Sequence, residues 1–69
     1  MTIKELLDKW DFEEVGKGIY KLSIDDDETI ELYHYSPKFA FVRHEWDGDI
    51  EYLRTYATEI DKYITELYE

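Results

Sequence analysis

Apolar residues in the last third of the chain recur at steps of three and four residues. This spacing is typical of a single apolar stripe along an α-helix. We therefore predict a long amphipathic helix over residues 49–69, with Asp47 or Asp49 as its N-cap and the stripe packed on the rest of the domain. The stripe consists of Ile50, Leu53, Ala57, Ile60, Ile64 and Leu67.

A second, shorter helical pattern lies at the N-terminus. Thr2 followed by Glu5 is a capping-box sequence, in which each side chain bonds the backbone N–H of the other residue. The pattern predicts a helix over residues 3–10. Because two helical turns are not stable alone, the apolar side of this helix must pack on other elements. That side consists of Ile3, Leu6, Leu7 and Trp10.

Between the two helical patterns, apolar and polar residues alternate, which predicts strands with one buried face. Three strands are expected in this part of the chain, over residues 18–24, 29–35 and 39–46. The element order is therefore α-β-β-β-α. It predicts an α+β fold in one domain spanning residues 1–69, with both helices on one face of a three-stranded antiparallel meander.

The register of the predicted sheet is only partly determined. The first two strands match with Ile24 opposite Ile30, which keeps their apolar residues on one face. For the third strand, a two-residue turn at residues 36–37 places Phe41 beside Leu32, whereas a three-residue turn places Val42 there. A shift of one residue exchanges the two faces of a strand, so either set of side chains can face the helices.

Aromatic residues are left over on the outer face in either register. Tyr33 and Tyr35 lie there, together with Phe39 and Phe41 in one of the two registers. They either cover one another as cross-strand pairs or form a contact patch, since tyrosine is enriched at protein interfaces. Three further tyrosines flank the stripe of the long helix and are expected to seal the edge of the core: Tyr52, Tyr56 and Tyr63.

Charge sets this chain apart from an average small domain. Eight Lys and Arg residues face eighteen Asp and Glu residues, which gives a formal charge of −10. Such a chain repels nucleic acid and anionic membranes, so we expect neither as a partner and expect a basic protein surface instead. The alternative is that the acidity serves solubility alone. Twelve aromatic residues favour a folded chain, because acidic disordered chains are poor in them.

The sequence also bears on the redox chemistry and the cellular location of the protein. There is no cysteine, hence no disulfide and no thiolate metal site. No apolar run reaches the roughly 18 residues of a membrane span, and the N-terminal residues lack the apolar block of a signal peptide. A cytoplasmic protein is expected.

Motifs for metal or catalytic chemistry are incomplete. The acidic run beginning at Asp25 opens like a calcium-binding EF-hand loop but has Ile30 where the loop requires glycine. His34 and His44, the only histidines, fall on neighbouring predicted strands and could approach each other, but two imidazoles make a weak zinc site unless Glu31 or Glu45 completes it. No serine sits in the strand-to-helix turn of a nucleophile. We expect no enzyme activity, no cofactor and no bound metal.

In size, acidity and element order, the chain resembles small bacteriophage inhibitors of host defence, including anti-CRISPR proteins that act as DNA mimics. The resemblance covers the whole chain and contains no shared motif, so it transfers no functional residue. It implies a non-enzymatic inhibitor that occupies the nucleic-acid-binding surface of a basic partner protein. The alternative is a small protein–protein interaction module, or a homodimer, that uses the aromatic face of the sheet.

Topology indicates where such an inhibitor would bind. The third predicted strand runs parallel to the first, so its far end returns beside the first turn. The acidic residues of the two places should then share one edge of the molecule, where a basic groove could dock. The predicted partner-binding residues are Asp25, Asp26, Asp27, Glu28, Glu31, Glu45, Asp47, Asp49 and Glu51, with Tyr33 and Tyr35 for the aromatic alternative.

Overall fold

A five-stranded antiparallel sheet and two helices make up the computed structural model, which describes residues 1–69. The strands follow one another as a meander, in the order β1-β2-β3-β4-β5. Neither helix, at 8 and 11 residues, has the length and apolar character needed to cross a membrane. The elements are α1 (Ile3–Trp10), β1 (Glu13–Gly16), β2 (Ile19–Asp25), β3 (Glu28–His34), β4 (Phe39–Trp46), β5 (Asp49–Tyr56) and α2 (Ala57–Leu67).

The predicted number of strands is wrong, although the α+β class holds. Three strands were expected and five are present, because β1 forms between the first helix and the first predicted strand, and β5 forms in the first eight residues of the predicted long helix. Residues 49–56 fit two patterns. Ile50 and Leu53 suit a helical stripe, but Ile50, Tyr52, Arg54 and Tyr56 also alternate along a strand.

The turn between β4 and β5 explains why the strand forms. Asp47 and Gly48 both have positive φ, at 47° and 83°. Two such residues between paired strands make a type I′ turn, for which Asp-Gly is a preferred sequence. Trp46 then lies opposite Asp49, and the pairing continues for eight residues along β4. Asp47 and Asp49 therefore belong to a hairpin and do not cap a helix.

Both predicted helices are present, the second one only in the part of its pattern that follows β5. The capping box of α1 is complete, since the Thr2 hydroxyl accepts from the Glu5 N–H at 3.2 Å and the Glu5 carboxylate accepts from the Thr2 N–H at 2.8 Å. The helix α2 keeps the later part of the apolar stripe, from Ala57 onward. Its first turn has no side-chain cap, but the Ala57 N–H donates to the carbonyl of Lys38 at 2.8 Å.

The observed register decides between the two predicted registers of the third predicted strand, which is β4. Val42 lies opposite Leu32. On the other side of β3, Ile30 lies opposite Leu22, two residues away from the predicted pairing with Ile24. A bulge between Ser23 and Asp25 shifts the register by one residue, and the two-residue turn between Asp25 and Glu28 accounts for the remainder. A shift of two residues keeps every side chain on its predicted face.

The core lies between the sheet and the two helices, which pack on the same face. Ten apolar residues are buried there, and the largest fully buried side chains come from both layers. No element covers the opposite face of the sheet, which we call the open face. The core residues are Ile3, Leu6, Leu22, Ile30, Leu32, Ala40, Val42, Ala57, Ile60 and Ile64.

Candidate functional site

Two acidic turns lie side by side at one end of the sheet. The turn after β2 carries Asp26 and Asp27, and the turn after β4 carries Asp47. The N–H of Asp47 donates to the carbonyl oxygen of Asp27 at 3.4 Å, so the backbones of the two turns are in contact. An open cleft of about 440 Å³ separates their side chains and has no hydrophobic residue in its lining. We call Asp25, Asp26, Asp27, Asp47 and Asp49 the acidic end.

No residue of the acidic end takes part in an ion pair. The ion pairs of the structure join Lys9 to Asp61 and Arg43 to two glutamates, and His44 lies within hydrogen-bond distance of Glu28. Within the acidic end, the Asp26 N–H donates a hydrogen bond to the Asp25 carboxylate at 2.7 Å. These carboxylates repel one another and are accessible to an external basic group.

Four other acidic residues of the predicted site lie elsewhere. Glu31 and Glu45 are on the open face, and both accept from the same nitrogen of Arg43, at 3.1 and 3.0 Å. Glu28 and Glu51 point to the helix side of the sheet, because residues alternate between faces. Only Glu45 also borders the cleft of the acidic end.

A partly buried polar network around His44 includes Glu28 and Glu51. His44 is 3% exposed, and its two ring nitrogens lie 2.6 Å from the Glu28 carboxylate and 2.6 Å from the Tyr63 hydroxyl. The Tyr63 hydroxyl also lies 3.5 Å from Glu51. Burial, and then the negative charges of Glu51 and Glu28, raise the pKa of the Tyr63 phenol above its ordinary value. The phenol stays protonated at neutral pH, and the network joins α2 to the sheet.

The second candidate surface is an aromatic patch on the open face, formed by Tyr33, Tyr35, Phe39, Phe41 and Tyr56. Tyr35 contacts both Phe39 and Phe41 edge to face, with ring centroids 6.1 and 5.5 Å apart, and Phe39 meets Tyr56 at 5.2 Å. Even so, Tyr35 stays 70% exposed and Tyr56 61% exposed. The rings therefore cover one another only in part.

Arg54 completes the aromatic patch. Its guanidinium lies 5.4 Å from the ring centre of Phe41 and 5.9 Å from that of Phe39, which is within the range of cation–π attraction. Arg54 and Tyr56 were absent from the predicted site because both fell in the predicted helix. The signal that would have placed them is the Asp-Gly turn followed by alternating residues.

The open face and the rest of the surface differ in charge. The open face carries Lys21, Arg43 and Arg54 against three carboxylates, so it is neutral overall. All ten excess negative charges therefore lie on the helix side, the edges and the acidic end. The three carboxylates of the open face are Glu13, Glu31 and Glu45.

No family model, curated protein or solved structure matches the chain. No group of three or more His, Cys, Asp or Glu side chains is placed to hold a metal ion. His34 and His44 are well separated, because His44 lies opposite Ile30, four residues along β3 from His34 and so about 13 Å away. The protein therefore has two candidate binding surfaces, the acidic end and the open face.

Proposed function

We propose that this protein is a non-enzymatic inhibitor that binds the basic, nucleic-acid-binding surface of a partner protein through its acidic end. The observation that carries the proposal is the contact between two acidic turns, which gathers five aspartates without a single ion pair. A cleft lined by Lys and Arg attracts such a cluster for the same reason that it attracts phosphates.

Charge density sets how closely the acidic surface can imitate DNA. Duplex DNA carries one negative charge per roughly 1.7 Å of its axis, which is about 18 charges over 30 Å. The protein has a net charge of −10 and a longest dimension of 30 Å. It therefore reaches about half the linear charge density of a duplex. We expect its complex with a basic partner to be weakened by salt, but less steeply than the complex of the same partner with DNA.

The test is a capture experiment followed by competition. The protein is immobilised and exposed to a bacterial lysate at low salt, and captured proteins are eluted by salt and identified. The proposal expects a basic nucleic-acid-binding protein whose binding to labelled DNA is then inhibited by the free inhibitor. If capture yields no such protein, or if the captured protein still binds DNA in the presence of the inhibitor, the proposal fails.

A matched pair of variants locates the binding surface. Reversing Asp26 and Asp27 to lysine should abolish the inhibition of DNA binding. Reversing Glu66 and Glu69, in and just after α2, changes the net charge by the same amount and should leave most of the inhibition. Equal inhibition by both variants would contradict the assignment to the acidic end, since overall charge would then explain the effect.

The second candidate function is an interaction module that works through the open face. The specific observation that favours it is an uncovered, neutral sheet face on a protein of charge −10, bearing six aromatic rings, which are the five of the aromatic patch and Tyr52. The two functions use different surfaces, so one does not exclude the other.

A further inference from the structure

We propose that two copies of this chain associate through their open faces, with their strands antiparallel and their acidic ends at opposite poles of the dimer. The inference does not depend on the inhibitor function, because the acidic end remains free in such a dimer. It starts from the aromatic patch, where four large side chains are at least 37% exposed: Tyr33, Tyr35, Phe41 and Tyr56.

Charge indicates that the occupant of the open face is a second copy. A strongly basic partner would be drawn to the surfaces that carry the ten excess negative charges and away from the neutral open face. The open face therefore favours a neutral surface rich in apolar atoms. The same face of another copy has these properties and is also matched in width, length and twist. Two copies can approach by this face with the least unfavourable charge.

The size of the open face is sufficient for such an interface. The five strands hold 34 residues, and at about 3.3 Å per residue and about 4.8 Å between strands they cover roughly 540 Å². Specific interfaces bury about 600–1,000 Å² on each partner. The aromatic side chains project from the sheet, so the accessible area of the open face is larger than the area of the flat sheet. Sheets commonly pack in this way, about 10 Å apart, with their inner side chains interdigitated.

Two symmetric arrangements are available, and electrostatics separates them. A two-fold axis along the strands would place the two acidic ends next to each other, with ten aspartates in one region. An axis across the strands places the acidic ends about 25 Å apart, at the two ends of the sheet sandwich. That distance is about three Debye lengths at physiological salt, so the repulsion is largely screened. The antiparallel arrangement is therefore favoured.

The antiparallel arrangement also pairs charges across the interface. Arg43 lies in the middle row of the open face, with Arg54 in the row on one side and Glu45 in the row on the other. Rotation about an axis through the middle row exchanges these outer rows. Arg54 of each copy then lies over Ile50 of the second copy, and Glu45 of that copy is one strand spacing to the side, within reach of the arginine side chain. Arg54 has no carboxylate partner in its own chain.

The first test is sedimentation equilibrium over a concentration series, with the molecular mass as readout. We expect the mass to rise from 8.4 kDa toward twice that value, and to rise at lower protein concentration when salt is added, because the two copies repel each other. A wild-type chain that stays monomeric up to roughly millimolar concentration, where even weak association shows, would overturn the proposal.

Variants test the surface and the orientation. Replacing Tyr35 and Tyr56 by serine should weaken association at least tenfold and leave the circular dichroism spectrum unchanged, since both side chains are mostly exposed. Tyr68→Ser is the control, because it removes an exposed tyrosine from the end of α2. Association that survives the double substitution would place the interface elsewhere.

A charge exchange tests the antiparallel arrangement alone. Arg54→Glu should weaken association by placing two carboxylates together. Adding Glu45→Arg in the same chain should restore at least part of it, because the pair is then re-formed with its signs exchanged. If the double variant associates no better than Arg54→Glu alone, the antiparallel arrangement is wrong.

Discussion

Asp61 joins the two helices, and its removal should destabilise the fold in a pH-dependent way. The Trp10 indole N–H donates to Oδ1 of Asp61 at 2.8 Å, and the Lys9 ammonium lies 2.9 Å from the same oxygen. Both donors are in the last turn of α1, and Asp61 is in the middle of α2. The test substitution is Asp61→Asn, which keeps the shape and one acceptor oxygen but removes the charge.

The magnitude follows from the exposure of each partner. A charge-assisted hydrogen bond contributes about 1.5–3 kcal/mol, roughly twice the value of a neutral one, so the Trp10 bond should lose about 1 kcal/mol. The Lys9 side chain is 48% exposed, and such an ion pair contributes only about 0.2–1 kcal/mol. Together the cost is about 1–2 kcal/mol, which lowers the melting temperature of a domain of this size by at least ~4 °C.

The pH dependence follows from the direction of the pKa shift. Burial would raise the pKa of Asp61, but hydrogen bonds from Lys9 and Trp10 and the charge of Lys9 outweigh it and hold the pKa below its ordinary value of 3.8. A lowered folded-state pKa contributes stability above the unfolded pKa, and this contribution is lost as pH falls through the folded pKa. The difference between wild type and Asp61→Asn should therefore be constant near neutral pH and shrink below 3.8.

Urea unfolding followed by tryptophan fluorescence measures the free energy of unfolding at several pH values. Asp8→Asn is the matched control, because Asp8 is an exposed residue of α1 outside every ion pair. It removes the same charge and should change stability little. If Asp61→Asn costs no more than the control, or if its cost is the same in acid as at neutral pH, the assignment of Asp61 as a charged link between the helices is wrong.

Two further predictions concern the core and the charge. Ile60 is fully buried between α2 and the sheet, so Ile60→Ala should lower the free energy of unfolding by about 2–5 kcal/mol; an unchanged thermal melt would refute its place in the core. Since the chain carries a net charge of −10, raising sodium chloride from about 20 to 200 mM should raise the melting temperature by screening repulsion. A fall instead would mean that favourable ion pairs outweigh the repulsion.

Local sequence determined the elements that have no competing pattern. The capping box of Thr2 and Glu5 specifies where α1 begins, and the 3–4 spacing from Ala57 onward belongs to α2. Alternation placed the apolar residues of β2 and β3 on one face, including Leu22 and Leu32. These signals were sufficient because each depends on neighbours within a few residues.

The segment from Asp49 to Tyr56 needed the tertiary structure. Its sequence fits both a helical stripe and a strand, and the helical pattern continues without a break into α2. In the structure, its backbone groups pair with β4 along eight residues, a set of bonds that local spacing does not reveal. The Asp-Gly turn was the one local signal for this hairpin.

Of the two candidate surfaces, the acidic end could be predicted from the sequence and the open face could not. That the turns carrying Asp27 and Asp47 lie together follows from the order of antiparallel strands, because alternate strands of a meander run parallel. The open face could not be composed from sequence, since Arg54 and Tyr56 reach it only through β5. The separation of a neutral face from an acidic remainder was therefore decided by the tertiary structure, where strand pairing fixes the side of the sheet on which each residue lies.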